Sequence, residues 1–91
     1  IADNNFCIKI VSSWLMKGKH KRNERGISIL AKNIRRYRKL KLLTIEELSN
    51  LIDVDYSQIS RMERGLVNPN ISIVFDIATA LNISPGLLLE E

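Results

Sequence analysis

The side chains best suited to chemistry in this sequence lie between residues 56 and 64, where several kinds of polar group follow one another closely. Hydroxyl, amide and guanidinium groups alternate there with apolar positions; the polar members are Tyr56, Ser57, Gln58, Ser60, Arg61 and Arg64. Ile59 and Met62 are three residues apart, so on a helix they share one face and leave the other face polar. Such a face, with no counter-charge at its exposed tip, matches the base edges and phosphates of nucleic acids.

Nothing in the chain has the pattern of an enzyme. We find no nucleophile beside a base, no pair of placed carboxylates and no glycine loop for phosphates. Asp53 and Asp55 are better explained by turn and capping chemistry. One cysteine, Cys7, and one histidine, His20, cannot form the usual structural zinc site. We therefore expect no enzymatic activity, no metal, no cofactor and no small-molecule ligand.

Two short helices joined by a tight turn are predicted for residues 44–65. Thr44 and Glu47 form a capping-box pattern, which predicts a helix start near Ile45. Ser49 is a small residue where another backbone can approach closely. The apolar residues recur at helical spacing; they are Leu48, Leu51 and Ile52.

The second helix of this pair carries the polar face. Asp53 interrupts the first helical pattern, and Asp55 with Gln58 repeats the capping signature, so a helix is expected from Tyr56. Gly65 ends that helix, because glycine adopts the left-handed conformation common after helices.

Three further helices are predicted around this pair. A long helix over residues 28–41 carries the inward stripe Leu30, Ala31, Ile34, Tyr37 and Leu40. Asn70 caps a helix whose inward residues are Ile71, Val74, Ile77, Ala78 and Leu81. Pro85 opens a last short helix that contains Leu87, Leu88 and Leu89. Three consecutive leucines cannot all face one small core, so they indicate either a subunit interface or a loosely packed C-terminus.

Length and charge divide the 91 residues into an arm, residues 1–26, and a folded domain, residues 27–91. The arm has six basic and two acidic residues, a net charge of +4, whereas the domain has eight of each. Within the domain one helix collects most of the cations, namely Lys32, Arg35, Arg36, Arg38, Lys39 and Lys41. This segregation gives a positive face that suits phosphates. The single cysteine fits a reducing compartment, so we expect the cytoplasm.

The arm itself permits several interpretations. Its apolar run, residues 6–16, is too short to span a bilayer, and its basic residues follow the run instead of preceding it as in a secretory signal. It either packs on the domain or a second subunit, or residues 1–15 are not native to the protein. The basic residues 17–26 are either a solvated hinge or an arm that follows DNA.

Residues 30–90 resemble the Xre-type helix-turn-helix domain of phage Cro and repressor proteins and of many bacterial regulators. The segments that carry the resemblance are residues 34–38, 44–54, 59–65, 68–69 and 78–83. The resemblance implies an all-α, five-helix bundle of the phage-repressor-like DNA-binding type, here with an N-terminal extension. Small restriction-modification controllers belong to the same family.

The resemblance also implies roles for particular residues. It places Tyr56, Ser57, Gln58 and Arg61 at DNA bases, and Thr44, Arg64 and Asn68 at phosphates. It implies a scaffold ion pair between Arg38 and Glu63. Three positions depart from the family pattern: Ile45 stands where the family usually has Gln, and Asp53 and Leu42 each stand where Gly is usual.

We therefore expect a sequence-specific regulator that binds double-stranded DNA as a homodimer on a palindromic operator. A restriction-modification controller, a phage-type repressor and an antitoxin are the roles that remain open. The alternative class is a protein-interaction module or antitoxin-like partner that uses the same fold without reading DNA.

Overall fold

The computed structural model describes residues 21–91, so the predictions for the apolar run 6–16 and for the first four residues of the basic segment 17–26 lie outside it. Residues 21–91 form four α-helices and one 3₁₀ helix: α1 Glu24–Leu40, α2 Ile45–Ile52, α3 Tyr56–Glu63, α4 Ile71–Ala80 and the 3₁₀ helix Pro85–Leu88. The described residues contain no strand, and the all-α prediction is confirmed. The predicted count of five α-helices is not confirmed, because the last element is a 3₁₀ helix.

Helix α1 begins earlier than the sequence predicted. Asn23 occupies the capping position, and its side-chain oxygen accepts a hydrogen bond from the Gly26 backbone N–H at 2.8 Å. This cap starts the helix at Glu24 instead of near residue 28. The last three residues of the segment predicted as a basic linker are therefore helical, and Gly26 is tolerated in the first turn.

The core lies where α1, α2, α3, α4 and the 3₁₀ helix meet. Its buried members come from all five elements, with Ile27 of α1 added to those predicted; the main ones are Leu30, Ile34, Leu48, Ile59, Met62, Val74, Ile77, Leu81 and Leu88. Helices α2 and α3 pack against each other, and α1 packs against α3 and the 3₁₀ helix. The inner face of α3 is therefore packed against the core.

Three residues predicted to face the core are exposed: Leu40, Leu51 and Ile71. Leu40 is the last residue of α1 and Ile71 is the first of α4, so each lies at a helix end where no neighbouring helix covers its side chain. In α2 the buried face is centred on Leu48 and Ser49, which turns Leu51 towards solvent. The predictions for these three side chains were wrong, although the helices that contain them were predicted correctly.

The C-terminal segment is tied to α1 by one buried amide. The side-chain N–H groups of Asn33 donate to the carbonyls of Leu88 at 2.9 Å and Glu90 at 2.6 Å. Of the three consecutive leucines, Leu88 is buried, its predecessor is half-buried and Leu89 is exposed. One leucine thus serves the core and one is left at the surface.

Left-handed residues mark the bends. Asp53 between α2 and α3 has φ 57° and ψ 48°, so the turn survives without the usual glycine. Gly65 ends α3 with φ 71°, as predicted, and Leu42 has φ 59° between α1 and α2. Within residues 21–91, no helix combines the length and the apolar character that crossing a bilayer requires.

Candidate nucleic-acid interface

Helix α3 presents its polar residues to solvent because two apolar residues fix its other side. Ile59 is 0% exposed and Met62 is 2% exposed. Tyr56, Ser57 and Arg61 are exposed and Gln58 is half-buried. We call Tyr56, Ser57, Gln58 and Arg61 the outer face of α3. The structure therefore brings together the four side chains that the resemblance assigned to bases.

The N-terminus of α3 is open. Asp55 occupies the capping position with extended backbone, but its side chain makes no capping hydrogen bond. Asp55 therefore marks the helix start as predicted, while the side-chain bond that its capping signature predicted is not formed. The first N–H groups of α3 carry partial positive charge without that side-chain oxygen. This end of the outer face suits negatively charged or acceptor groups.

Helix α2 begins at a complete capping box. The Thr44 hydroxyl accepts from the Glu47 backbone N–H at 3.0 Å, and the Glu47 carboxylate accepts from the Thr44 backbone N–H at 2.8 Å. The predicted box is confirmed. Thr44 is exposed, and its hydroxyl hydrogen remains available for a further acceptor. Ile45, the residue that replaces the family's usual Gln, is half-buried and packs against the core.

The other two residues assigned to phosphates follow α3 in the sequence. Arg64 is the exposed residue at the C-terminal cap of α3, and its Nε donates to the Ser60 carbonyl at 3.3 Å. Asn68 is exposed in the following loop, where its side-chain N–H donates to the Lys21 carbonyl at 3.4 Å. The three assigned residues therefore belong to the start of α2, the end of α3 and the loop after it.

A buried ion pair joins α1 to α3. Arg38 Nε and Nη2 donate to the two Glu63 carboxylate oxygens at 2.6 and 3.0 Å, and Arg38 Nη1 donates to the Leu43 carbonyl at 2.7 Å. The Arg38 and Glu63 side chains are only 10% and 5% exposed. The hydrogen bond with Glu63 raises the pKa of the Arg38 guanidinium. We call Arg38, Glu63 and the Leu43 carbonyl the α1–α3 joint.

The resemblance pointed to the two charged members of this joint but not to its third. A backbone carbonyl has no signature in the sequence, and only the path of the chain after α1 brings Leu43 to the guanidinium. The buried amide of Asn33 was missed for the same reason, since both of its acceptors are backbone carbonyls of the C-terminal segment.

The fold and its exposed polar helix agree with the comparisons. A model of the helix-turn-helix family HTH_3 matches residues 34–88, which include α2, the turn, α3 and the core residues around them. The chain belongs to this family. The resemblance to Xre and Cro-type proteins is confirmed by that match. No match was found among curated protein sequences.

Solved structures of regulators share the family fold. The restriction-modification controller protein C.AhdI from Aeromonas hydrophila is 32% identical, with a TM-score of 0.66 over 68% of this chain and 94% of that one. A hypothetical transcription factor, NHTF, from Neisseria is 29% identical, with a TM-score of 0.70 over 79% of this chain and 84% of that one. The clp gene regulator ClgR from C. glutamicum is 25% identical, with a TM-score of 0.67 over 69% of this chain and 81% of that one. Together with the family match, these structures support a DNA-binding regulator and not an enzyme.

Proposed function

We propose that the protein is a sequence-specific transcriptional regulator that binds a palindromic operator as a homodimer. The observation that carries the proposal is the outer face of α3, whose four polar side chains project from a helix anchored by Ile59 and Met62. A helix supported in this way can enter the major groove, where each base pair displays a distinct pattern of donors and acceptors. Such a regulator acts where its DNA is, so we place it in the cytoplasm.

Arg61 is the side chain best suited to distinguish one base. It is exposed and takes part in no salt bridge among the described residues. Its guanidinium can donate two parallel hydrogen bonds to the two acceptors of a guanine edge. The shorter side chains of Tyr56, Ser57 and Gln58, one turn nearer the helix start, would contact neighbouring bases.

Thr44, Arg64 and Asn68 would fix the position of that helix on the duplex. Their hydroxyl, guanidinium and amide groups are donors, which is what phosphate oxygens accept, and all three side chains are exposed. They flank α3 in the chain on both sides. Contacts from the start of α2 on one side, and from the end of α3 and the loop after it on the other, would restrict the angle of α3 in the groove. The phosphate contacts would thereby set which base pairs α3 can reach.

A homodimer would use the apolar surface near the C-terminus. Ile71 and Phe75 lie one helical turn apart on α4, and both are exposed, as is Leu89. Ile71 and Leu89 also line one hollow together with Val74 and Pro69. A small domain gains stability from covering such a surface with a second copy. Two-fold symmetry would then place the half-sites about 34 Å apart.

Selection from a random pool of DNA duplexes tests the proposal directly. The expected product is a palindrome whose half-sites are centred about one helical turn apart. Enrichment of no sequence above the starting pool would reject sequence-specific binding. Stable capture of a protein with no duplex bound would instead favour the interaction-module or antitoxin-like alternative.

The dimer is tested separately by sedimentation. Phe75→Glu places a charge in the proposed interface and should convert the dimer to a monomer. Leu40→Glu is the matched control, because Leu40 is at least as exposed as Phe75 and lies at the end of α1, outside that surface. Equal behaviour of the two variants would remove α4 from the interface without affecting the assignment of α3.

The similarity to C.AhdI makes a restriction-modification controller the role to test first, with a phage-type repressor next to it. The selected operator provides the test, since a controller's operator should lie beside genes for a nuclease and a methyltransferase. An operator beside unrelated genes would favour the general repressor.

A further inference from the structure

Helix α1 carries a line of four cations on its solvent side. Lys32, Arg35, Arg36 and Lys39 are spaced by three and four residues, so they lie along one face, and all four are exposed. We call these residues the basic stripe. Arg38, which lies between Arg36 and Lys39 in the sequence, points the other way and is buried in the α1–α3 joint. The helix therefore separates one structural arginine from a group of solvent-facing cations.

No residue of the stripe forms a salt bridge in the described part of the chain. The salt bridges among residues 21–91 use Arg22, Arg25 and Arg38, and none of them involves a stripe residue. Residues 31–43 contain no aspartate or glutamate. Neighbouring like charges at these spacings destabilise an isolated helix. If the surface served only solubility, interspersed positive and negative side chains would be more favourable than four cations together. Solubility alone therefore does not explain the stripe.

The stripe also adjoins the proposed DNA surface. Lys32 and Arg64 line the same hollow, of about 330 Å³, at the C-terminal end of α3. The two carboxylates in that hollow already have arginine partners, since Glu24 pairs with Arg22 and Glu63 with Arg38. Positive charge therefore continues from a proposed phosphate contact onto α1 without an unpaired carboxylate between them.

The length of the stripe fits a DNA strand. Lys32 and Lys39 are seven residues apart, a rise of about 10.5 Å along the helix. One strand of a duplex presents a phosphate about every 3.4 Å of helix axis, so the stripe spans about three of them. Lys32, the first residue of the stripe, lies near the C-terminal end of α3, whereas Tyr56 and the bases that it would contact are at the N-terminal end. The phosphates within reach are accordingly those beside the half-site.

We propose that the basic stripe of α1 binds the DNA backbone next to each half-site, so that full affinity requires duplex beyond the bases that are read. This inference rests on the proposed function, because it adds a second contact surface to the same complex. Arg36 lies 5.5 Å from the centre of the Tyr37 ring and is held there by a cation–π contact. The three remaining cations, Lys32, Arg35 and Lys39, are the ones free to follow the backbone.

The test is a cycle that combines a protein change with a DNA change. The protein variant is Lys32→Gln/Arg35→Gln/Lys39→Gln, and the DNA is the selected operator with either about 10 bp beyond each half-site, one helical turn, or none. On the long duplex, the triple variant should bind more weakly, and its plot of log affinity against log salt should lose about 2.7 from its slope, 0.9 for each contact.

Trimming the DNA should act on the same contacts. The wild-type protein should lose affinity and salt slope when the flanks are removed, whereas the triple variant should barely respond. If the two changes are additive instead, the stripe does not touch the flanks and the inference is wrong. The inference is also wrong if the triple variant binds both duplexes with wild-type affinity but alters transcription. That result would indicate that the stripe binds a protein instead of DNA.

Single variants provide the matched control. Lys39→Gln removes one charge from the stripe, and Lys41→Gln removes the same charge two residues later, beyond the end of α1 and off the stripe. Only the first should reduce the response to flanking DNA. A wild-type protein that binds no duplex would overturn the proposed function and this inference together. A selective operator with unchanged binding by all stripe variants would overturn the inference alone.

Discussion

Two arginines on neighbouring helices, Arg38 of α1 and Arg61 of α3, occupy opposite environments. Arg38 is buried, and it donates to both oxygens of Glu63 and to the Leu43 carbonyl. Arg61 is exposed and takes part in no salt bridge within residues 21–91. The first guanidinium has its hydrogen-bonding capacity used by the fold, whereas that of the second is available to a ligand.

The two environments indicate that Arg38 contributes to stability and that Arg61 is available for recognition, although both side chains belong to the same pair of packed helices. A buried charge without its partner is costly, so the α1–α3 joint should be sensitive to any change that leaves one charge alone. A charge in water costs little to remove, so the outer face of α3 should tolerate substitution and lose only what it contributes to DNA binding. Stability and base preference should therefore respond to different substitutions.

The largest effect is expected at the joint. Glu63→Gln leaves the Arg38 guanidinium buried without a counter-charge, and we expect the free energy of unfolding to fall by about 3–5 kcal/mol. A domain of this size has only about 5–15 kcal/mol in total, so the loss should be obvious in urea denaturation.

A double variant distinguishes charge from packing. Arg38→Met/Glu63→Leu removes both charges and should recover most of the stability lost in Glu63→Gln, because neither side chain then has a buried charge to neutralise. If the double variant is as unstable as the single one, the joint acts through shape and not through the ion pair.

The next effect belongs to the outer face. Arg61→Ala should leave the free energy of unfolding within about 0.5 kcal/mol of the wild type. Binding to the selected operator should weaken by about 1–3 kcal/mol, with loss of preference at one position of each half-site. Titration of operator variants measures this preference.

Arg61→Lys refines that prediction, because it keeps the charge and removes the planar fork. Base preference should be lost while the salt dependence of binding stays close to that of the wild type. Uniform weakening on all sequences would show that Arg61 contacts a phosphate instead of a base.

Thr44 belongs to both sides of the comparison, and its substitution should have an intermediate effect. Thr44→Ala removes the cap of α2 and should cost about 1 kcal/mol of stability. It should also weaken binding to all duplexes alike, since a phosphate contact carries no base preference. Thr44→Ser keeps the hydroxyl and should restore both properties; recovery of stability without recovery of affinity would exclude Thr44 as a phosphate contact.

Local signals in the sequence predicted much of this arrangement. The Thr44 capping box, the Asn70 cap and the left-handed Gly65 depend on residues close together in the chain, and each is observed. The outer face of α3 followed from the spacing of Ile59 and Met62. The pairing of Arg38 with Glu63 came from the resemblance, because no spacing rule connects residues on different helices.

What the sequence did not predict depends on distant parts of the chain. Leu40 and Leu51 have the right spacing for burial, but whether a neighbour covers them is decided by where the other helices end. The acceptors of Asn33 are backbone carbonyls more than fifty residues away. The DNA contacts of the outer face remain predictions, because exposure makes them available without showing what they bind.

The smallest effect, and the only expected gain in stability, is at Leu42, the bend that brings Leu43 to the joint. Leu42 has φ 59° and is 88% exposed, so a leucine stays in the left-handed region with almost no burial in return. That conformation costs a leucine about 1–2 kcal/mol, whereas glycine adopts it freely but loses about 0.5–1 kcal/mol in backbone entropy. Leu42→Gly should therefore stabilise the domain by up to about 1 kcal/mol in urea denaturation. Leu40→Gly, in helical conformation two residues earlier, should destabilise it by about as much. Destabilisation by both would mean that the Leu42 side chain restrains the bend, and that the α1–α3 joint depends on it.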